Sequence, residues 1–171
     1  MLHTLTDGLI WSALWMIYIF IILKLFPHTM LHDYPKDIQE SSTLKKPSKK
    51  QEKASKLFSA VGGIIIFGVL IAFGLLRFQS EPTSFMKLLL YIFIVAMTWN
   101  IVDLLVMDWL IICLINPKWV VIEGTDGCKG YKDYFFHFKG FLIGCVYTAI
   151  MALLFAGIDY ALLRFVILRQ V

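Results

Sequence analysis

The sequence predicts an all-α integral membrane protein, with four transmembrane helices in a bundle and a short amphipathic interfacial helix on the cytoplasmic side before helix four. Three observations predict it. Apolar residues make up 59% of the 171 positions and charged residues 16%, against roughly 45–50% and about 25% in soluble domains. Mean hydropathy is +0.76, and the apolar residues fall in blocks approaching the roughly 20 residues that cross a bilayer core of about 30 Å as a helix. The lysines are gathered into two polar stretches between such blocks. The length suits a single membrane domain spanning 1–171.

The first span is expected over 9–26. Met1 to Gly8 carries no Lys or Arg, and the apolar run behind it ends at Lys24 without a small-residue cleavage site. It is therefore read as a retained helix rather than a signal peptide. Pro27 marks its end. A polar loop over 27–56 follows, and its lysine-rich run 45–53 reads as solvated and mobile. The second span is expected over 57–76, and Pro82 opposes helix continuation in the connector behind it. The third runs over 85–115 and stops at Asn116-Pro117; a second loop covers 116–139, and the fourth span covers about 140–168. Within the second loop, Tyr131, Tyr134, Phe135 and Phe138 share one helical face, and Lys129, Lys132, Asp133 and His137 another. That pattern predicts the interfacial helix. Trp119 to Glu123 suggests a short strand, with 124–127 as its turn.

Orientation follows from the basic residues. The first loop holds Lys36, Lys45, Lys46, Lys49, Lys50, Lys53 and Lys56, and the second holds Lys118, Lys129, Lys132 and Lys139. Because positive loops are retained in the cytoplasm, both loops are expected there, with the N- and C-termini outside a cell membrane crossed several times. The net charge of +4 is thus a topology signal, and no nucleic acid is implied as partner. Cys113, Cys128 and Cys145 have no CxxC spacing and lie toward the expected cytoplasmic side, so no disulfide is expected.

Gly140, Gly144, Thr148, Ala152 and Ala156 recur at every fourth position of the fourth span. Small residues on one face let a neighbouring backbone approach. The ridge suits packing within the chain, first of all against the glycine-rich second span, or else a homo-oligomer or another membrane subunit. Trp11, Trp15 and Tyr18 form an aromatic stripe on the first span, read as an anchor or packing surface.

The third span contains Asn100, Asp103 and Asp108, and no basic residue lies between Lys87 and Lys118. A charge at the bilayer centre costs about 2.5–3.5 kcal/mol on insertion scales, so two acids there need partners, protons or water. At about 100° per residue, Asn100, Asp103, Met107 and Ile111 share one face, with Asp108 roughly 140° round from Asp103. Two accounts remain open: a polar pocket or ion path, or structural hydrogen bonding that holds helices in register. Asp159 and Tyr160, with Arg164 nearby, suggest a solvated salt bridge at the outer interface.

The leading expectation is binding or transport of a small or amphipathic molecule, lipid-like or proton-coupled. Asn100, Asp103 and Asp108 would line its polar part, and Trp15, Trp99 and Trp109 its apolar walls. A second is a membrane enzyme at the cytoplasmic interface using Asp33, Asp108, His28, His32 and His137, with or without a metal. The spacing of His28 and His32, with His137 as a third candidate ligand, is the basis for a metal. A third is a non-catalytic accessory subunit of a membrane complex. Phosphate-binding, zinc-protease, nucleophile-elbow and dinucleotide motifs are all absent, and no motif specifies a cofactor.

Overall fold

The computed structural model describes residues 2–80 and 82–167, with side chains to 165. The expected end of the fourth span at 168, and Arg169, lie outside the described residues. Helix α1 covers Leu2–Leu25. A short α2, Pro27–Met30, passes into a 3-10 turn over Leu31–Asp33, and α3 covers Lys36–Ser41. Helix α4 is Lys49–Phe78. Helix α5, Phe85–Val102, runs on as a π-helix over Asp103–Ile115. A 3-10 turn at Lys129–Lys132 precedes α6, Tyr134–Leu162, which continues as a π-helix over Leu163–Ile167. Four of these segments, α1, α4, α5 and α6 with their extensions, are long and apolar enough to cross a membrane.

Capping chemistry shifts several expected boundaries. The Ser48 hydroxyl accepts from Gln51 N at 3.3 Å, and the Gln51 side chain accepts from Ser48 N at 2.9 Å. This reciprocal box satisfies two of the free N–H groups at a helix start. The run from Lys49 to Lys56, read from sequence as part of the polar loop, is therefore the first turns of α4, with Lys56 paired to Glu52 at 2.7 Å. Asp133 accepts from Phe136 N at 2.9 Å and starts α6 at Tyr134. The expected separate interfacial helix is thus the first turn of α6, and Tyr131 lies outside it, buried in the preceding 3-10 turn. No strand occurs among the described residues: Trp119–Glu123 forms turns and meets the 27–48 segment through one backbone–backbone bond, Thr43 N to Glu123 O at 2.9 Å.

The two polar loops fold together as a cap over one end of the helices. Tyr34, Ile38, Ile122 and Tyr131 bury one another there, joined by Leu23 and Ile112 from the helix ends. The Tyr131 hydroxyl accepts from Ile122 N at 2.8 Å and pairs with Thr125 Oγ1 at 2.7 Å. Asp37 accepts from Gly130 N at 2.8 Å, and the Tyr34 hydroxyl donates to Val120 O at 3.2 Å. Gly124 is held at φ +83°, where a Cβ would lie 2.9 Å from the Thr43 backbone nitrogen. Composition marks this region as polar and basic. It does not reveal that a few interspersed aromatics are enough to order it.

Helix α5 carries the centre of the main core through Leu88, Ile92 and Val95, all with 0% exposure. Trp11 of α1, Ile66 and Leu70 of α4, and Ala152, Phe155 and Ala156 of α6 close around them. Gly144, Ala152 and Ala156 of the small-residue ridge face the chain's own interior, whereas Gly140 is exposed with nothing near its Cβ position. At the end away from the cap, Asp7 accepts from Arg77 at 3.0 Å and from the Tyr91 hydroxyl at 2.8 Å, tying α1, α4 and α5 together.

Helix α4 stays against α1 along its length and adds α6 as a partner only toward the far end. Toward the cap it leans on α1, with Phe58 against Tyr18 and Phe26 at ring-centroid distances of 5.8 and 5.6 Å and the Tyr18 hydroxyl on Ser59 O at 3.0 Å. Toward the far end it meets α6, where Phe67 stacks on Phe155 at 5.0 Å and Gly74 lies against the Asp159 carboxylate. Asp159 is fully buried there, so the expected solvated pair with Arg164 does not form; Arg164 donates instead to Tyr160 at 3.0 Å.

Candidate ligand cavity

A cavity of about 610 Å³ lies at the capped end, walled by α1, α5 and α6 and closed on the cap side by Met30 to Tyr34. Its polar lining is contributed by Asn100, Asp103 and Asp108 of α5, His137 and Lys139 of α6, and His32 and Asp33 of the cap. Such a mixed lining suits a ligand with an apolar body and a few fixed polar contacts.

The winding of α5 decides which side chains arrive there. From Asp103 onward the ladder is i→i+5, ending in Asn116 N to Ile111 O at 2.8 Å. This wider turn brings residues five apart onto one face, which an α-helix does not. Asp108 therefore joins Asp103 on the cavity wall, and Ile112 takes the place expected for Ile111. Asn116 ends the helix in the left-handed region at φ 44°, immediately before Pro117.

Asp108 Oδ1 lies 3.0 Å from His137 Nδ1, and their side chains are 21% and 6% exposed. With Nδ1 donating to the carboxylate, a neutral ring has its other nitrogen as an acceptor. That nitrogen, His137 Nε2, is buried with no hydrogen-bond partner, as is Trp15 Nε1. Asp103 makes no hydrogen bond or ion pair through its side chain among the described residues. Asn100 donates to Phe141 O and Cys145 Sγ, each at 3.3 Å, and so bridges α5 to α6 where Gly144 leaves room for its amide. Trp15 and Trp99 stack at 5.6 Å and 14° and form an aromatic wall.

On the cap side, His32 Nε2 lies 3.2 Å from Asp33 Oδ1. Partial withdrawal from water raises the Asp33 carboxyl above its ordinary range, His32 opposes the rise, and Asp108 adds to it. Burial raises Tyr34 as well, which keeps its hydroxyl a neutral donor to Val120 O.

Of the six residues proposed from sequence as ligand contacts, Trp15, Trp99, Asn100, Asp103 and Asp108 line this one cavity. Trp109 does not; its indole N–H donates to Tyr134 O at 3.3 Å. His32, Asp33 and His137 reach the cavity, and His28 does not. Among the described residues no group of three or more His, Cys, Asp or Glu has an arrangement able to hold a metal ion. Cys113, Cys128 and Cys145 are free thiols. Sequence reasoning missed Met30, Tyr34 and Lys139 as lining residues, because only the folded cap and the early start of α6 bring them in. The chain matches no protein-family description, no curated protein and no solved structure.

Proposed function

We propose that the chain is a transmembrane four-helix bundle that binds or transports a small or amphipathic molecule in the cavity beneath its cap. Under this reading the cap faces the cytoplasm, as the lysine distribution suggests. The observation that carries the proposal is the convergence of Asn100, Asp103, Asp108 and His137 on one cavity within otherwise apolar helices. Polar and ionisable groups at membrane depth are costly, and those that face a shared cavity mark ligand sites and ion paths.

Native mass spectrometry of the detergent-purified chain tests this. A co-purifying small molecule is expected, with occupancy strongly reduced in Asp103→Asn although that variant assembles at normal yield. If Asp103 serves only to hold helices together, Asn replaces much of its bonding and Asp103→Leu impairs assembly instead. Equal occupancy in the wild type and a well-folded Asp103→Asn protein would remove the carboxylate from the site.

The Asp108–His137 bond also favours a second reading, a membrane enzyme in which Asp108 orients His137 and Nε2 accepts a proton from substrate. His137→Gln separates the two. Binding without transformation survives it in part, whereas a general base is lost outright.

A further inference from the structure

The cavity is walled on three sides by helices, and the fourth side shows where its ligand comes from. Helix α4 is the remaining neighbour of both α1 and α6, yet no residue of α4 lines the cavity. Toward the cap α4 is drawn onto α1, where a Cβ at Gly62 would strike the Tyr18 ring; it reaches α6 only further along, at Phe67 and Gly74. The α1–α4 pair and α6 therefore diverge beside the cavity. Open space follows on both edges: a Cβ at Gly63 of α4 or at Gly140 of α6 would meet nothing within 4 Å. Ile143, a lining residue, is 58% exposed. This opening lies along apolar helix faces, at the height of the leaflet next to the cap.

The charges inside select the head group. Asp33, Asp103 and Asp108 face the cavity, against Lys139 and the imidazoles of His32 and His137; α4 contributes none. His137 already holds Asp108, and His32 already holds Asp33. Asp103 is left without a side-chain partner among the described residues, in the same cavity as the orphaned His137 Nε2. A carboxylate poorly screened by water attracts a cation far more strongly than one in bulk solvent, and Lys139, the one lysine of the lining, lies over the Phe135 ring at 4.6 Å and makes no ion pair with Asp103.

Building on the proposed ligand-binding role, we infer that the ligand is a long-chain amphiphile with an amine-type cationic head. It passes sideways from the cap-side leaflet between α4 and α6, sets its head against Asp103, and leaves its chain along Ile143 and the opening.

The test uses the full chain in phosphatidylcholine nanodiscs, with thermal unfolding as readout and four probes: hexadecylamine, hexadecanol, hexadecyl phosphate and butylamine. Hexadecylamine is expected to raise the unfolding midpoint. Hexadecanol and hexadecyl phosphate are expected to need at least tenfold higher concentration for the same shift. Asp103→Asn is expected to abolish the hexadecylamine shift, and Asp33→Asn, in the cap outside the spans, to weaken it should the first variant fold poorly. Gly140→Leu fills the open edge without a clash and should weaken hexadecylamine at least tenfold. Equal or stronger stabilisation by the phosphate overturns the head-group assignment. Butylamine acting through Asp103 as tightly as hexadecylamine, or an unchanged response in Gly140→Leu, overturns the membrane route and leaves a ligand cavity served from water. No Asp103-dependent response to any probe overturns the amphiphile, and the fate of the cavity itself then rests on whether a molecule co-purifies.

Discussion

Gly74 and Asp159 offer the most direct test of how α4 and α6 meet. A Cβ on Gly74 would overlap Asp159 Oδ2, lie 2.9 Å from its Cγ, and lie 3.3 Å from Ile92 Cδ1. The carboxylate has little room to retreat, because Asp159 is 0% exposed, and Ile92, which meets the same Cβ position, is 0% exposed as well. Overpacking of this kind costs about 1–3 kcal/mol, while Ala in place of Gly in a helix returns about 1 kcal/mol. Gly74→Ala alone is therefore expected to destabilise the chain by about 0–2 kcal/mol. Asp159→Ala removes the obstructing group, together with two carboxylate oxygens that have no hydrogen-bond partner. In that background Gly74→Ala should become stabilising by about 1 kcal/mol, a coupling of about 1–3 kcal/mol across the cycle. Reversible unfolding in mixed micelles, with all four proteins measured under one set of conditions, gives the numbers. If Gly74→Ala has the same effect in both backgrounds to within about 0.5 kcal/mol, the helices do not meet there and the account of α4 crossing toward α6 fails.

The cap and the ridge carry their own predictions. Tyr131→Phe strands the Ile122 N–H inside the cap and leaves Thr125 Oγ1 only its bond to Ile122 O; a loss of about 1–3 kcal/mol is expected, with faster amide exchange over 119–131, and unchanged exchange would refute an ordered cap. Gly144→Leu drives a large side chain into the Asn100 amide, and a clear fall in unfolding midpoint is expected; an unaltered melting curve would mean that this face looks at lipid. Ser48 and Thr83 flank opposite ends of α4, so cysteines placed there should label from opposite sides of sealed cells, Thr83→Cys from outside. Labelling of both from outside would overturn the proposed orientation.

How much was legible in the sequence depends on the range of the forces involved. Burial of apolar surface is additive along a segment, so the four long apolar helices could be read from composition and block length. Their starts could not, because a cap such as Ser48 with Gln51 outweighs the polarity of the lysines behind it. The folded cap escaped notice for the opposite reason. Its core is built from Tyr34, Ile38, Ile122 and Tyr131, which are scattered over nearly a hundred positions and have no shared periodicity.

The cavity shows the same limit at closer range. Asn100, Asp103 and Asp108 announce themselves because polar and charged side chains are costly inside a long apolar segment of the kind that crosses a bilayer, and no knowledge of the fold is needed to suspect them. Where they point depends on helical winding. An α-helical step turns Asp108 away from Asp103, which would leave His137 facing an apolar wall and Asp103 alone. The i→i+5 ladder brings both acids to one side. Local propensity favours the α-helix almost everywhere, and a π-helix persists only where tertiary contacts outweigh its poorer geometry. The contacts available to do so here are the Asp108–His137 bond and the burial of Leu104, Met107 and Ile112. Winding and site thus depend on each other: the π-helix assembles the acidic wall, and the histidine on α6 rewards the winding that delivers Asp108 to it.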